Sequence, residues 1–106
     1  MNYAVITGVV VKTSGLFETR TGLPVLHLLV EHAHGSDYQD SKPQVFEIRV
    51  DIWGKAARAL DEKLKPGTGI LAEGILASRE KEDYAGVIRK QNVLRARRVE
   101  IIHKER

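Results

Sequence analysis

Apolar and polar residues alternate without a slip from Val45 to Trp53. Phe46, Ile48, Val50 and Ile52 share one parity; Val45, Glu47, Arg49, Asp51 and Trp53 share the other. A period of two over this length predicts a strand with one face in a core and one in water. Similar reasoning places a first strand over Tyr3 to Lys12, where β-branched residues dominate, and Gly8 within it suggests a bulge or bend. Leu16 to Arg20 reads as a short extended piece between the turns Thr13-Ser14-Gly15 and Thr21-Gly22-Leu23-Pro24. A second strand runs from Val25 to His32, with Leu26, Leu28 and Val30 inward and His27, Leu29 and Glu31 outward. The polar stretch Ala33 to Gln44 is expected to be a long, mobile hairpin loop leading into the alternating strand, which is thus the third.

After Trp53 the period changes. Ala56, Ala57, Leu60 and Leu64 fall on one helical face, so a short helix of about three turns is expected over Lys55 to Lys65, stopped by Pro66-Gly67. Gly69 to Ala77 reads as a fourth strand, with Gly74 as a bend point. Asn92 to His103 reads as a fifth, with a slip in alternation at Arg97-Arg98 that predicts a bulge. The charged stretch between them is expected to be a hairpin turning near Tyr84-Ala85-Gly86, its arms extending both strands. The order β-β-β-α-β-β predicts an all-β, five-stranded barrel of the oligonucleotide/oligosaccharide-binding type, the OB-fold, with one helix between strands three and four.

At 106 residues the chain is expected to form one domain, residues 1–106. It has no cysteine, hence no disulfide framework and no thiolate metal site. Met1-Asn2-Tyr3 leads straight into an apolar strand, so no targeting or transmembrane segment is expected and the expected location is the cytoplasm. Net charge is only +3, but residues 86–106 carry seven basic residues against two acids, or +5, which leaves −2 for the rest. A basic end on a near-neutral chain suggests a side that faces a polyanion.

Several stretches resemble the bacterial single-stranded-DNA-binding protein family and its relative, the primosomal replication protein PriB. Met1-Asn2 with Val5-Ile6-Thr7-Gly8 is similar to the opening strand of the family. Thr21-Gly22-Leu23-Pro24 followed by Leu28-Leu29-Val30-Glu31-His32 is close to the PriB pattern. Val50 to Ala57, containing Trp53-Gly54-Lys55, resembles the family's apolar strand ending in aromatic-Gly-Lys before a helix. Leu64-Lys65-Pro66-Gly67-Thr68, Ala72-Glu73-Gly74-Ile75-Leu76 and Val99-Glu100-Ile101-Ile102 match later family segments in order and spacing. The resemblance implies a protein that binds single-stranded DNA without sequence preference in replication, replication restart or repair. It also implies a base-stacking role for Trp53 and basic contacts from Arg49 and Lys55. Glu47 and Lys81 stand where relatives often carry tryptophan, which implies a groove that leans on charge. The acidic tail of replicative relatives has no counterpart in Lys104-Glu105-Arg106, so a PriB-type accessory factor is the alternative role.

Single-strand binding needs a cationic groove along the phosphates and flat side chains on which bases stack. Arg49, Lys55, Arg79, Lys81, Arg89 and Lys90 are the candidates for the first need; Trp53, with Tyr84 and Tyr38 on loops, for the second. Arg95, Arg97 and Arg98 fit either the barrel's outer face or an interface of salt bridges. A homodimer or homotetramer is expected, with Tyr3, His27 and Leu29 at the subunit contact, and replication-restart or helicase proteins are the expected protein partners. No cofactor is expected. His32-Ala33-His34 lacks the third ligand that zinc needs, so no metal site is expected. No catalytic motif is present, and Asp37 and Asp40 have no positioned partner, so an enzyme is not expected. The rival of another class is an OB-fold module for protein contacts or RNA.

Overall fold

A computed structural model of the chain describes residues 1–34 and 44–104. Its elements are β1 (Ala4–Thr13), β2 (Phe17–Glu18), β3 (Pro24–His34), β4 (Gln44–Trp53), α1 (Lys55–Leu60), β5 (Gly69–Glu82) and β6 (Ile88–His103). The five expected strands are therefore β1, β3, β4, β5 and β6, and the extended piece after the first is the two-residue β2.

The sheet order is β1-β5-β6-β4-β3-β2, and β1 also pairs with β3. That second pairing closes the five long strands into a barrel, as the OB-fold requires. β1 serves both seams. Residues Ala4 to Val9 pair with Gly74 to Gly69 on β5, while Val9 to Thr13 pair with Glu31 to Leu28 on β3. The strand changes partner at Val9, and its pairing with β3 carries a bulge at Val11, where the register shifts between Val10 and Lys12. Gly8 is not itself the bulge. It is a point of close approach, where a Cβ would lie 2.6 Å from the Glu31 carbonyl oxygen and 2.7 Å from Val30 Cγ1. β4 and β6 run parallel and pair at only three positions, Arg49↔Val93, Val50↔Leu94 and Asp51↔Arg95. The other pairings are antiparallel.

The inward set from the alternation forms the core. Val10, Leu26, Leu28, Val30, Val50, Ile52, Ile70, Ala72 and Leu94 are buried together with Ala57 and Leu64. Phe46 departs from its parity and is 44% exposed. Phe46 lies beyond the short β4–β6 contact at residues 49–51, and its ring lies 5.3 Å from that of His32 on the neighbouring strand.

The helix is shorter than its periodicity predicts. Ala57 is its buried residue, Ala56 is exposed, and Leu64 reaches the core from the turns that follow. Those turns free Asp61 to accept the Leu16 amide at 2.9 Å, which ties the base of the barrel to the start of β2. The β5–β6 hairpin turns where expected. Gly86 takes φ 79, and Asp83 Oδ1 accepts the amides of Ala85 and Val87. Its arms lengthen both strands, to Glu82 and from Ile88. The predicted bulge is present too: Glu73 pairs with Arg98 and Gly74 with Ala96, which leaves Arg97 unmatched.

Candidate nucleic-acid interface

Antiparallel register places Val25 opposite Trp53, His27 opposite Asp51 and Leu29 opposite Arg49 on the outer face of β3 and β4. Parallel register puts Arg95 beside Asp51 and Val93 beside Arg49. One sheet face thus collects Trp53, Arg49, Asp51, His27 and Arg95. The extended β5–β6 hairpin adds Arg79 and Lys81 to the same side, so residues distant in sequence share one surface.

Trp53 ends β4 and is 42% exposed. It is held where it is by the next residue: Gly54 has φ 75, and its amide donates to the Pro24 carbonyl at 2.8 Å. A residue with a Cβ takes this positive φ only with strain, which gives the Trp-Gly pair a backbone reason.

Asp51, read as solvent-facing from its parity, does lie on the outer face but is only 4% exposed. His27 Nδ1 lies 2.5 Å from its Oδ1, Arg49 Nε donates to the same oxygen at 3.0 Å, and Arg79 Nη1 approaches Oδ2 at 3.8 Å. These partners cover the carboxylate and offset its desolvation. Burial pushes the His27 pKa below its ordinary 6.5; the hydrogen bond and charge of Asp51 oppose this, and Arg49 and Arg79 reinforce it. An ionised carboxylate can only accept, so the neutral imidazole carries its proton on Nδ1 toward Asp51. The cluster holds two guanidiniums against one carboxylate and remains net positive. Each guanidinium keeps N–H donors beyond those spent on Asp51.

Three adjoining grooves cross this face. One of about 410 Å³ runs between Phe17 and Trp53 over Val25 and Val93, with Arg79 and Arg95 along it. His27 also lines the next, of about 340 Å³, with Lys12, Arg49, Lys81 and Gln91. Arg49 and Gln91 lead into the largest, about 800 Å³, which opens between β4 at residues 46–49 and the β5–β6 strands at residues 76–78 and 90–92.

Of the residues singled out from sequence, Trp53, Arg49, Arg79, Lys81 and Lys90 line this continuous track. Arg89 is opposite Lys81 in the hairpin and pairs with Asp83 at 3.6 Å. Tyr84 stands fully exposed at the hairpin tip, and Lys55 starts α1; neither lines the grooves. Tyr38 lies outside the described residues. Arg95 belongs to the Trp53 groove, whereas Arg98 is tied to Glu73 at 2.9 Å and to Glu100. His27 and Leu29, expected at a subunit contact, are partly buried and line grooves of the track. Lys12 and Phe17 escaped the sequence reading. Phe17 is 42% exposed and sits on a strand too short to show a period; its only local signal is an aromatic residue set between two turns.

Among the described residues no helix is long and apolar enough to cross a membrane, and no group of His, Asp and Glu is arranged to hold a metal. Residues 1–102 match the model of the Single-strand binding protein family. No curated protein matches the chain.

Proposed function

The chain belongs to the single-strand binding protein family, and from that premise we propose that it binds single-stranded DNA, without strong sequence preference, along the track on the outer face of β3, β4 and β6. The observation that carries this reading is the half-exposed Trp53 beside Arg79 and Arg95 on the outside of a closed barrel. A flat ring offers a stacking surface that every base can use, and guanidiniums next to it meet the phosphates. Arg49, Lys81 and Lys90 continue the positive path, while Arg89, Lys55, Tyr84 and Tyr38 are contacts of lower rank. The proposed cellular role is in DNA replication, replication restart or repair in the cytoplasm, including the role of a PriB-type accessory factor working with helicase or restart proteins.

The protein acts in this proposal as a homodimer or homotetramer. Exposed apolar side chains at Tyr3, Val5, Val9 and Val11 support a subunit contact that uses the outer face of β1. Several copies on one strand raise avidity beyond what the few stacking sites of one chain supply.

Titration of oligo-dT against salt tests the reading. The logarithm of the binding constant should fall with the logarithm of salt concentration at about −0.7 per phosphate contacted. Trp53 is the only tryptophan, so its fluorescence reports the site directly and should be quenched on binding. Trp53→Ala should weaken binding by roughly 1–3 kcal/mol. Equal affinity for duplex and single strand, with no effect of Trp53→Ala, would refute the proposal.

A further inference from the structure

We propose that Phe17 and Trp53 are the two walls of a slot that takes one unpaired nucleobase between them, above the buried Val25, with Arg79 and Arg95 on the flanking phosphates. This rests on the single-strand reading above, which supplies the ligand.

The two rings flank the same residue. Val25 pairs with Phe17 on β2 and with Trp53 on β4. Phe17 and Trp53 therefore sit two strand spacings apart, about 9.5 Å between backbones. A planar base in van der Waals contact with a ring on each side needs about 7–8 Å between those rings. The groove between them passes over Val25 and Val93, which are buried beneath it at 1% and 2% exposure, so a base there rests chiefly on the two rings.

The Phe17 wall is braced from β3 and α1. Its ring lies 5.2 Å from the His27 ring, tilted by 54°, and His27 is anchored in turn to Asp51. Ser14, just before β2, exchanges hydrogen bonds with the His27 backbone, its amide donating at 2.9 Å and its Oγ accepting at 3.0 Å. Glu18 pairs with Arg58 at 2.9 Å. Such bracing fixes an aromatic ring that nonetheless stays 42% exposed, the same fraction as Trp53. A wall held in advance loses little freedom when a base arrives. The slot also discriminates, because a base paired and stacked within a duplex cannot enter between two walls.

The test is an anisotropy titration of labelled oligo-dT with wild type, Phe17→Leu, Phe17→Tyr, Trp53→Leu and the Phe17→Leu/Trp53→Leu double variant, each checked for an unchanged melting midpoint. Leucine keeps an apolar contact to His27 but removes the flat ring. We expect Phe17→Leu to weaken binding about tenfold and Phe17→Tyr to stay within about twofold of wild type. Because both rings hold one base, the double variant should lose clearly less than the product of the single losses. As a check that needs no substitution, ultraviolet crosslinking of wild type to bromodeoxyuridine-substituted oligonucleotide should give adducts at Phe17 as well as Trp53. Wild-type affinity in Phe17→Leu, multiplicative losses in the double variant, or adducts at Trp53 alone would overturn the slot while leaving single-strand binding intact. Failure of wild type to prefer single strands would remove both.

Discussion

The Asp51 carboxylate orients three neighbours from a position almost closed to solvent, and a pH dependence follows from it. Burial keeps His27 below its ordinary pKa of 6.5, so the unfolded chain takes up this proton at higher pH than the folded one. Stability therefore rises with pH across that window. His27's contribution is fully present above 6.5, falls as pH drops from there toward the lowered folded value, and does not change below it. The melting midpoint should decline as pH falls from about 7 into this window, and His27→Gln should flatten the part of the decline that His27 supplies. A steepness unchanged in the variant would show that other groups control it. The same site shows what a residue's parity does and does not reveal. Alternation correctly assigned Asp51 and Trp53 to the outer face. It could not show that Arg79, from a strand distant in sequence, would help cover one of them and leave the other half open. Trp53 was legible because both its signals, residue type and position at a strand end before Gly, are local. Phe17 was not, because its meaning lies in sharing Val25 with Trp53.

At the scale of the element, the β5–β6 hairpin is where backbone geometry is tightest. A Cβ on Gly74 would come within 2.8 Å of the Arg95 carbonyl carbon and 2.9 Å of Ala96 Cα, beside the bulge at Arg97. These are backbone atoms and cannot rotate away. Gly74→Ala should therefore destabilise the fold by roughly 1–3 kcal/mol, read as a lower urea midpoint at unchanged slope. A midpoint equal to wild type would mean that the two strands separate at little cost. Both the glycine and the bulge were visible in the sequence, one as a break in an apolar run and the other as a slip in alternation. The helix end was not. Leu64 keeps the helical period that began at Ala57, yet the chain reaches it through turns, in which Asp61 bonds the Leu16 amide.

For the whole molecule, the order of elements was enough to predict a closed barrel, since few folds place a single helix between the third and fourth long strands. How the barrel closes was not legible. One seam depends on β1 changing partner at Val9, and the other on β4 and β6 meeting over three residue pairs. Both bring together segments far apart in the chain, whose contacts carry no local pattern. The second seam has a further consequence. With so few pairs it is the place where the barrel should breathe, opening locally at a free energy below that of global unfolding. The proposed DNA track crosses it, with Arg49 and Asp51 on one bank and Arg95 on the other. A strand of DNA laid across both banks would act as a stitch. The backbone amides of residues 49–51 and 93–95 should then exchange with deuterium measurably more slowly in the complex than in the free protein. Unchanged exchange there on saturation with oligo-dT would place the DNA on one bank only.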